Sequence, residues 1–337
     1  MGLKENANLA FQGCVVLGPG FVLDPETALA WIEFDDRYGK IIRPYLNGED
    51  LNSRPDHSGS RWVIDFNDLD LDTAASYVDP YRRVLETVKP ERSRNSRKIY
   101  RDFWWQFAEK RPALRRAIGG MESVLVMAQV SKTVMPTMVS NGQVFDQKLV
   151  VFATDSFSDQ AVLSSSLHQL WAVKYSPTMR LDVSYSPKGA LSTFPFPGST
   201  HHLEGLGVKL NERRADILIS RGLGLTKLYN LFNDPDVVGD EDVELMRALH
   251  VQVDEAVVAA YGWSDVELGH GFHTYRQVRR WTVSPAARVE LMDRLLEENL
   301  RRAKEEQKLS VPAGRKGRGG QKAAAEVDGQ HAQEGLF

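Results

Sequence analysis

The densest reactive chemistry in the sequence is cationic. Between Arg82 and Arg116, twelve Lys and Arg side chains stand against four acids, a net charge of +8 in 35 residues. Guanidinium and ammonium groups at that density suit phosphate oxygens, and within the segment Arg94, Arg97, Lys98 and Arg101 are the candidates for contacts to a DNA backbone. The whole chain carries only −3, so the other 302 residues carry −11 and the near-neutral total conceals a basic segment in an acidic chain. Such asymmetry points to a polyanionic partner, most often nucleic acid. A solvated helix face laced with ion pairs is the other reading of the same residues.

Sets of residues that could carry catalysis are incomplete. Gly18-Pro19-Gly20 has no following lysine and no full dinucleotide pattern, so it reads as a turn. His270 and His273 stand three apart without further ligands nearby in sequence. Ser164-Ser165-Ser166 precede His168 within one predicted helix, which lacks the strained elbow of a nucleophilic serine. Pro55-Asp56 and Pro235-Asp236 open like a nuclease motif, but no acid-x-lysine partner follows. No catalytic residue is therefore assigned, and no metal or cofactor site is expected in this chain. Cys14 is the only cysteine, which excludes an internal disulfide and a cysteine-rich zinc site and fits a reducing cytoplasm. No apolar run approaches the roughly 20 residues that span a bilayer. The first ten residues lack a signal-peptide core, so no membrane partner is expected.

The elements that must position these groups change character along the chain. Asp24-Pro25-Glu26 starts a helix to about Phe34, and Asn47-Gly48 turns the chain after a short strand. The acidic run Asp65, Asp68, Asp70 and Asp72 leads into a helical stretch, Thr73 to Val88, restarted at Asp79-Pro80. Tyr100, Phe103, Trp104 and Phe107 fall at i, i+3, i+4 and i+7, a core-facing aromatic stripe on one helix. Val124 to Val130 and Lys148 to Phe152 read as strands, with Asn141-Gly142 as a hairpin turn between them. A helix is expected over 158–175. In Thr178 to Ser186, alternation puts Leu181, Val183 and Tyr185 on a packed strand face and Arg180, Asp182 and Ser184 on a hydrogen-bonding one. After Phe194-Pro195-Phe196-Pro197 the pattern becomes successive helices. The expectation is an α+β domain over residues 1–198, an all-helical domain over 199–300 and a disordered basic tail over 301–337.

The ordered blocks Phe11 to Leu23, Ile41 to Leu51, Arg61 to Phe66, Phe103 to Ile118, Ser164 to Ala172, Tyr185 to Pro197 and Val253 to Trp263 resemble one protein region. They are similar to the C-terminal part of class I adenine-specific DNA methyltransferases of the type IIG and type IIL restriction-modification kind, over roughly residues 8–300. In that family the region is a target recognition domain followed by helices. The family's glycine-rich S-adenosylmethionine motif and its Asn-Pro-Pro-aromatic motif do not occur here. The resemblance therefore implies a double-stranded DNA recognition module without its own catalysis. S-adenosylmethionine would belong to a separate methyltransferase domain or subunit.

By the same resemblance, polar positions before the Tyr-Ser of the block at Tyr185 are readout positions, here Arg180, Asp182 and Ser184. An arginine can grip guanine O6 and N7 while an aspartate accepts from the cytosine amino group. A surface ion pair between Arg180 and Asp182 is the alternative. Lys132, in VSKTVMP, matches a basic family position expected near the DNA backbone. Two other readings fit the chain: a truncated, inactive remnant of such an enzyme, or a nucleic-acid-binding assembly protein of another class.

Overall fold

The computed structural model describes residues 1–179, 182–275 and 277–310. Its strands are β1 (Ala10–Gln12), β2 (Val22–Leu23), β3 (Ile42–Leu46), β4 (Arg61–Ile64), β5 (Ser123–Ala128), β6 (Val130–Ser131), β7 (Thr137–Ser140), β8 (Val144–Phe145), β9 (Leu149–Phe152), β10 (Thr178–Met179), β11 (Asp182–Ser184), β12 (Gly271–Tyr275) and β13 (Val278–Thr282). The helices are α1 (Pro25–Phe34), α2 (Gly48–Ser53), α3 (Leu71–Ala75), α4 (Val78–Thr87), α5 (Lys89–Arg92), α6 (Lys98–Asp102), α7 (Pro112–Ile118), α8 (Phe157–Ser164), α9 (Ser166–Tyr175), α10 (Glu204–Arg221), α11 (Leu225–Phe232), α12 (Glu241–Ala260) and α13 (Pro285–Ser310). The fold is α+β, as expected.

Local chemistry starts these helices. The side chains of Asp24, Asn47, Asp70, Ser156 and Asp240 accept from free N–H groups in the first turns of α1, α2, α3, α8 and α12. The acidic run before α3 is thus partly a cap, while Asp65 and Asp68 pair with Arg115 and Lys110.

One sheet has the order β1-β9-β5-β7, antiparallel throughout, and another has β2-β4-β3-β8, with only β3 and β8 parallel. The central strand β5 is apolar almost without interruption because it is covered on both faces. Val124 and Val126 pack with Leu46, Leu114 and Phe145, whereas Leu125 and Met127 pack with Leu163, Tyr185 and Leu191. A third cluster joins Phe21, Tyr38, Ile42, Val63, Val84 and Trp104 at the β2-β4-β3-β8 sheet.

The structure departs from the sequence reading at several places. Asn141-Gly142 does not close a hairpin: β7 before it pairs with β5, and β8 after it pairs with β3. Asn141 instead donates to the carbonyls of Ile118 and Met121, using its side chain as a clamp. The helix expected over 158–175 is two helices, because Ser165 is extended (φ −72°, ψ 158°) and accepts from the His168 N–H as the cap of α9. The aromatic stripe also differs. Helix α6 ends at Asp102, so Trp105 turns inward with Trp104 and Phe107 while Phe103 stays 47% exposed. Thr178 to Ser186 is not one strand, since Thr178 pairs with Val183 and Met179 with Asp182. No glycine or Asn-Gly marks that reversal, so alternation alone ran the strand through it.

The C-terminal part is not all helical. Strands β12 and β13 form a hairpin in which Phe272 faces Trp281, with ring centroids 5.3 Å apart. Helix α13 runs on to Ser310, past the expected start of the tail at 301. Arg301 and Arg302 pair with Glu298 at 2.6 and 2.7 Å, and Ala303 is buried. Residues 311–337 of the expected tail lie outside the described residues. The largest apolar cluster crosses position 198: Ala161, Leu167 and Trp171 from α8 and α9 pack with Leu210, Leu228, Met246, Val253 and Leu291.

Candidate nucleic-acid interface

Strands β10, β11 and β6 form a short ribbon apart from the two sheets. Val183 stands opposite Ser131 and Ser184 opposite Val130, so the same register carried one residue further sets Asp182 opposite Lys132. Alternation then puts Val130, Lys132, Asp182 and Ser184 on one face. That face is open: Lys132 and Val130 are exposed and Asp182 and Ser184 half-buried, while Val183 and Tyr185 point inward and are buried. Among the described residues, no hydrogen bond or ion pair engages the side chains of Lys132, Asp182 or Ser184. Arg180 lies outside the described residues.

The ribbon stands on fixed supports. The Tyr185 N–H donates to the Gln129 carbonyl (2.7 Å), and the Ser184 N–H to that of Pro177 (2.9 Å). Beneath it His168 places Nδ1 2.7 Å from the Leu163 carbonyl, which can only accept. Nδ1 therefore carries the proton and Nε2 accepts from the Tyr185 hydroxyl at 2.9 Å. Burial pushes the His168 pKa down to about 4, so the ring is neutral at physiological pH. The loop after β6 is tied down three times. Gln169 accepts from the Val134 N–H at 2.6 Å, the buried Arg214 donates to the Pro136 carbonyl at 2.9 Å, and Arg280 of β13 donates to the carbonyl of Lys132.

Two clefts flank this open face. One of about 200 Å³ is lined by Lys132 and Asp182 together with Asn52, Thr226 and Asn230. A larger one of about 590 Å³ is lined by Ser184 with Gln12, Gln129, Arg111 and Lys188. The amides of Asn52, Gln129 and Asn230 were not singled out from sequence. Asn52 and Asn230 come from distant segments that only the fold brings beside the ribbon, whereas Gln129 directly precedes β6.

The basic segment divides by use. Arg92 is buried and donates to the carbonyls of Val16, Leu17 and Gln106. Arg83 holds Gly20 and Val22, Arg111 holds Gly13, and Arg115 pairs with Asp65 at 2.7 Å. These cations fasten the β2-β4-β3-β8 half of the molecule. Arg94, Arg97, Lys98 and Arg101 are exposed and gathered on the corner made by α5 and α6. There Arg97 lies over the ring of Tyr100 (5.4 Å), and Arg101 closes the loop through the carbonyls of Asn95 and Ser96. Lys98 is 3.9 Å from Asp102 and otherwise free in solvent.

His270, His273 and Ser165 make structural contacts. His270 pairs with the buried Asp254 at 2.8 Å, His273 reaches the Gly269 carbonyl, and Ser165 caps α9.

An α+β unit with an open polar ribbon and a detached cationic corner has the build of a domain that reads a large polar ligand. Residues 8–198 match the target recognition domain of MmeI, and the chain belongs to that family. No curated protein matches it. Among solved structures, the type IIL restriction-modification enzyme MmeI in complex with DNA is similar, with a TM-score of 0.61 over 88% of this chain at 16% identity. The likeness of fold thus continues past residue 198 into the helical part. The chain spans about a third of that enzyme's length, 35%.

Proposed function

We propose that this chain is the sequence-specific recognition module for double-stranded DNA of an adenine-specific methyltransferase or restriction-modification enzyme, and that methyl transfer is carried out by a catalytic domain or subunit outside it. Membership of the MmeI target recognition family is the observation that carries this reading. The ribbon supplies a physical means. A major groove about 12 Å wide admits a two-stranded ribbon such as β11 with β6, where Asp182 offers an acceptor and Ser184 a hydroxyl that can serve as either, while Lys132 beside them is assigned to the DNA backbone. Arg180 is assigned to guanine readout together with Asp182. Arg94, Arg97, Lys98 and Arg101 are assigned to phosphates, which fix position without reading sequence. S-adenosylmethionine is assigned to the catalytic partner, because the two motifs that hold it and the target adenine do not occur in this chain. Among the described residues no helix is long and apolar enough to cross a membrane, and a cytoplasmic location is part of the same proposal.

Selection from a random duplex library tests the reading. The full chain should return one sequence, and Asp182→Asn should relax discrimination at one base pair by about 1–3 kcal/mol. Lys98→Ala should instead weaken all duplexes alike and reduce the salt dependence by roughly one phosphate contact. A chain that binds no duplex, or one that binds every duplex equally, would overturn the proposal.

A further inference from the structure

The basic corner carries two side chains that phosphate binding does not explain. Ile99 is 61% exposed and Phe103 47% exposed. The Phe103 N–H donates to the Ile99 carbonyl (3.0 Å), so the two stand one helical turn apart on one side of α6. Around them project Arg94, Arg97, Lys98 and Arg101, against two acids, Glu91 and Asp102, the second already facing Lys98. The corner is also stiff. Phe103 leans on the ring of Trp105 (5.6 Å), Trp105 and Gln106 both donate to the Leu69 carbonyl at 2.9 Å, and Arg92 ties the segment to Val16 and Leu17. The contrast with α1 is informative. Phe34 is 80% exposed, but its neighbours Glu33, Asp35 and Asp36 are acidic and would repel a phosphate backbone.

We propose that the α6 corner is a wedge that enters a base step of duplex DNA, with Ile99 and Phe103 as the inserting side chains and the surrounding cations gripping the flanking phosphates. The proposal rests on the recognition reading above and adds to it a second way of sensing sequence, through the ease of deforming the duplex. Apolar side chains that part a base step from the minor groove unstack it and kink the helix away from them, and cations beside them hold the bent backbone. Flexible pyrimidine-purine steps yield at least cost, so a wedge favours them without touching their base edges. A rigid support is required, because a loose side chain would fold back before it unstacked a step. The Trp105 and Arg92 contacts supply that support.

The test uses the full chain on the duplex it selects, with donor and acceptor dyes at the two ends and 2-aminopurine placed at successive steps. Wild type should shorten the end-to-end distance and raise 2-aminopurine emission at one step. Ile99→Ala/Phe103→Ala should restore the straight duplex with about a tenfold loss of affinity, as lost apolar burial outweighs the unstacking saved. Its salt dependence should stay that of wild type, because the cations remain. Both positions are exposed, and an unchanged melting temperature confirms that the variant is folded. Binding without shortening, or a double variant that bends DNA like wild type, overturns the wedge and leaves the recognition reading standing. Failure of wild type to bind any duplex removes both. An unchanged DNA contour together with lost association to a methyltransferase domain added in trans assigns the corner to a protein interface and overturns the wedge.

Discussion

Arg92 sits in the middle of the basic segment yet serves the interior. Its guanidinium answers the buried carbonyls of Val16 and Gln106 and that of Leu17, and burial lowers its pKa only to about 10, so it stays charged at neutral pH. Arg92→Ala should cost about 3 kcal/mol or more in thermal or denaturant unfolding. Arg92→Lys should not rescue it, since one ammonium cannot span the same fork of carbonyls. DNA affinity measured on the folded fraction should fall as well, because Arg92 is one of the supports of the α6 corner. Sequence could mark where cations are dense, but not which of them face inward. Arg92 and Arg94 are two residues apart and alike in type, and only the carbonyls that the fold gathers around one of them tell them apart.

At the scale of elements, most of the helices were legible because their signals are local. Asp24-Pro25-Glu26 announces α1 within its first turn. The ribbon reversal between Met179 and Asp182 and the hairpin of β12 and β13 were missed for the opposite reason: nothing local requires them. The hairpin is defined by long-range partners, with Arg280 reaching Lys132 and Arg247 lying over Phe272 at 4.9 Å. Helix α10 shows how close the packing between elements is. A Cβ at Gly207 would lie 1.9 Å from the Phe157 carbonyl oxygen, so α8 and α10 approach there with no space for a methyl group. Gly205, one residue before Leu206 in the same helix, faces open space. Gly207→Ala should therefore destabilise by about 1–3 kcal/mol, while Gly205→Ala should stabilise by up to about 1 kcal/mol. Equal urea midpoints for the two variants would contradict this packing.

For the whole molecule, the apolar cluster that crosses position 198 matters most. The change of sequence character at Phe194-Pro197 is real, but α8 and α9 bury Leu167 and Trp171 against helices that come later in the chain. A fragment ending at 198 should expose that surface and fail to unfold cooperatively, whereas residues 1–310 should melt in one transition, as calorimetry would register. Acid sensitivity is a second property of the whole. Burial holds the pKa values of His57, His168 and His250 down at about 4, chiefly through loss of solvent, while the unfolded chain takes up protons near 6.5. Above about pH 6.5 none of the three binds a proton in either state, and their burial carries no penalty. Between pH 6.5 and 4 the unfolded state binds more protons, so stability should drain away as the pH falls. His168→Gln should flatten part of that slope, as melting temperatures at stepped pH would reveal.

The ribbon's open face has a bearing on how such a module can diversify. Its buried neighbours, Val183 and Tyr185, and the carbonyls of Gln129 and Pro177 hold its shape, whereas Lys132, Asp182 and Ser184 bear none of that burden among the described residues. Substitution at those three positions therefore alters what is offered to a ligand while leaving folding almost untouched. On the readout proposed above, a lineage carrying this scaffold would drift between target sequences one side chain at a time, without passing through an unfolded ancestor.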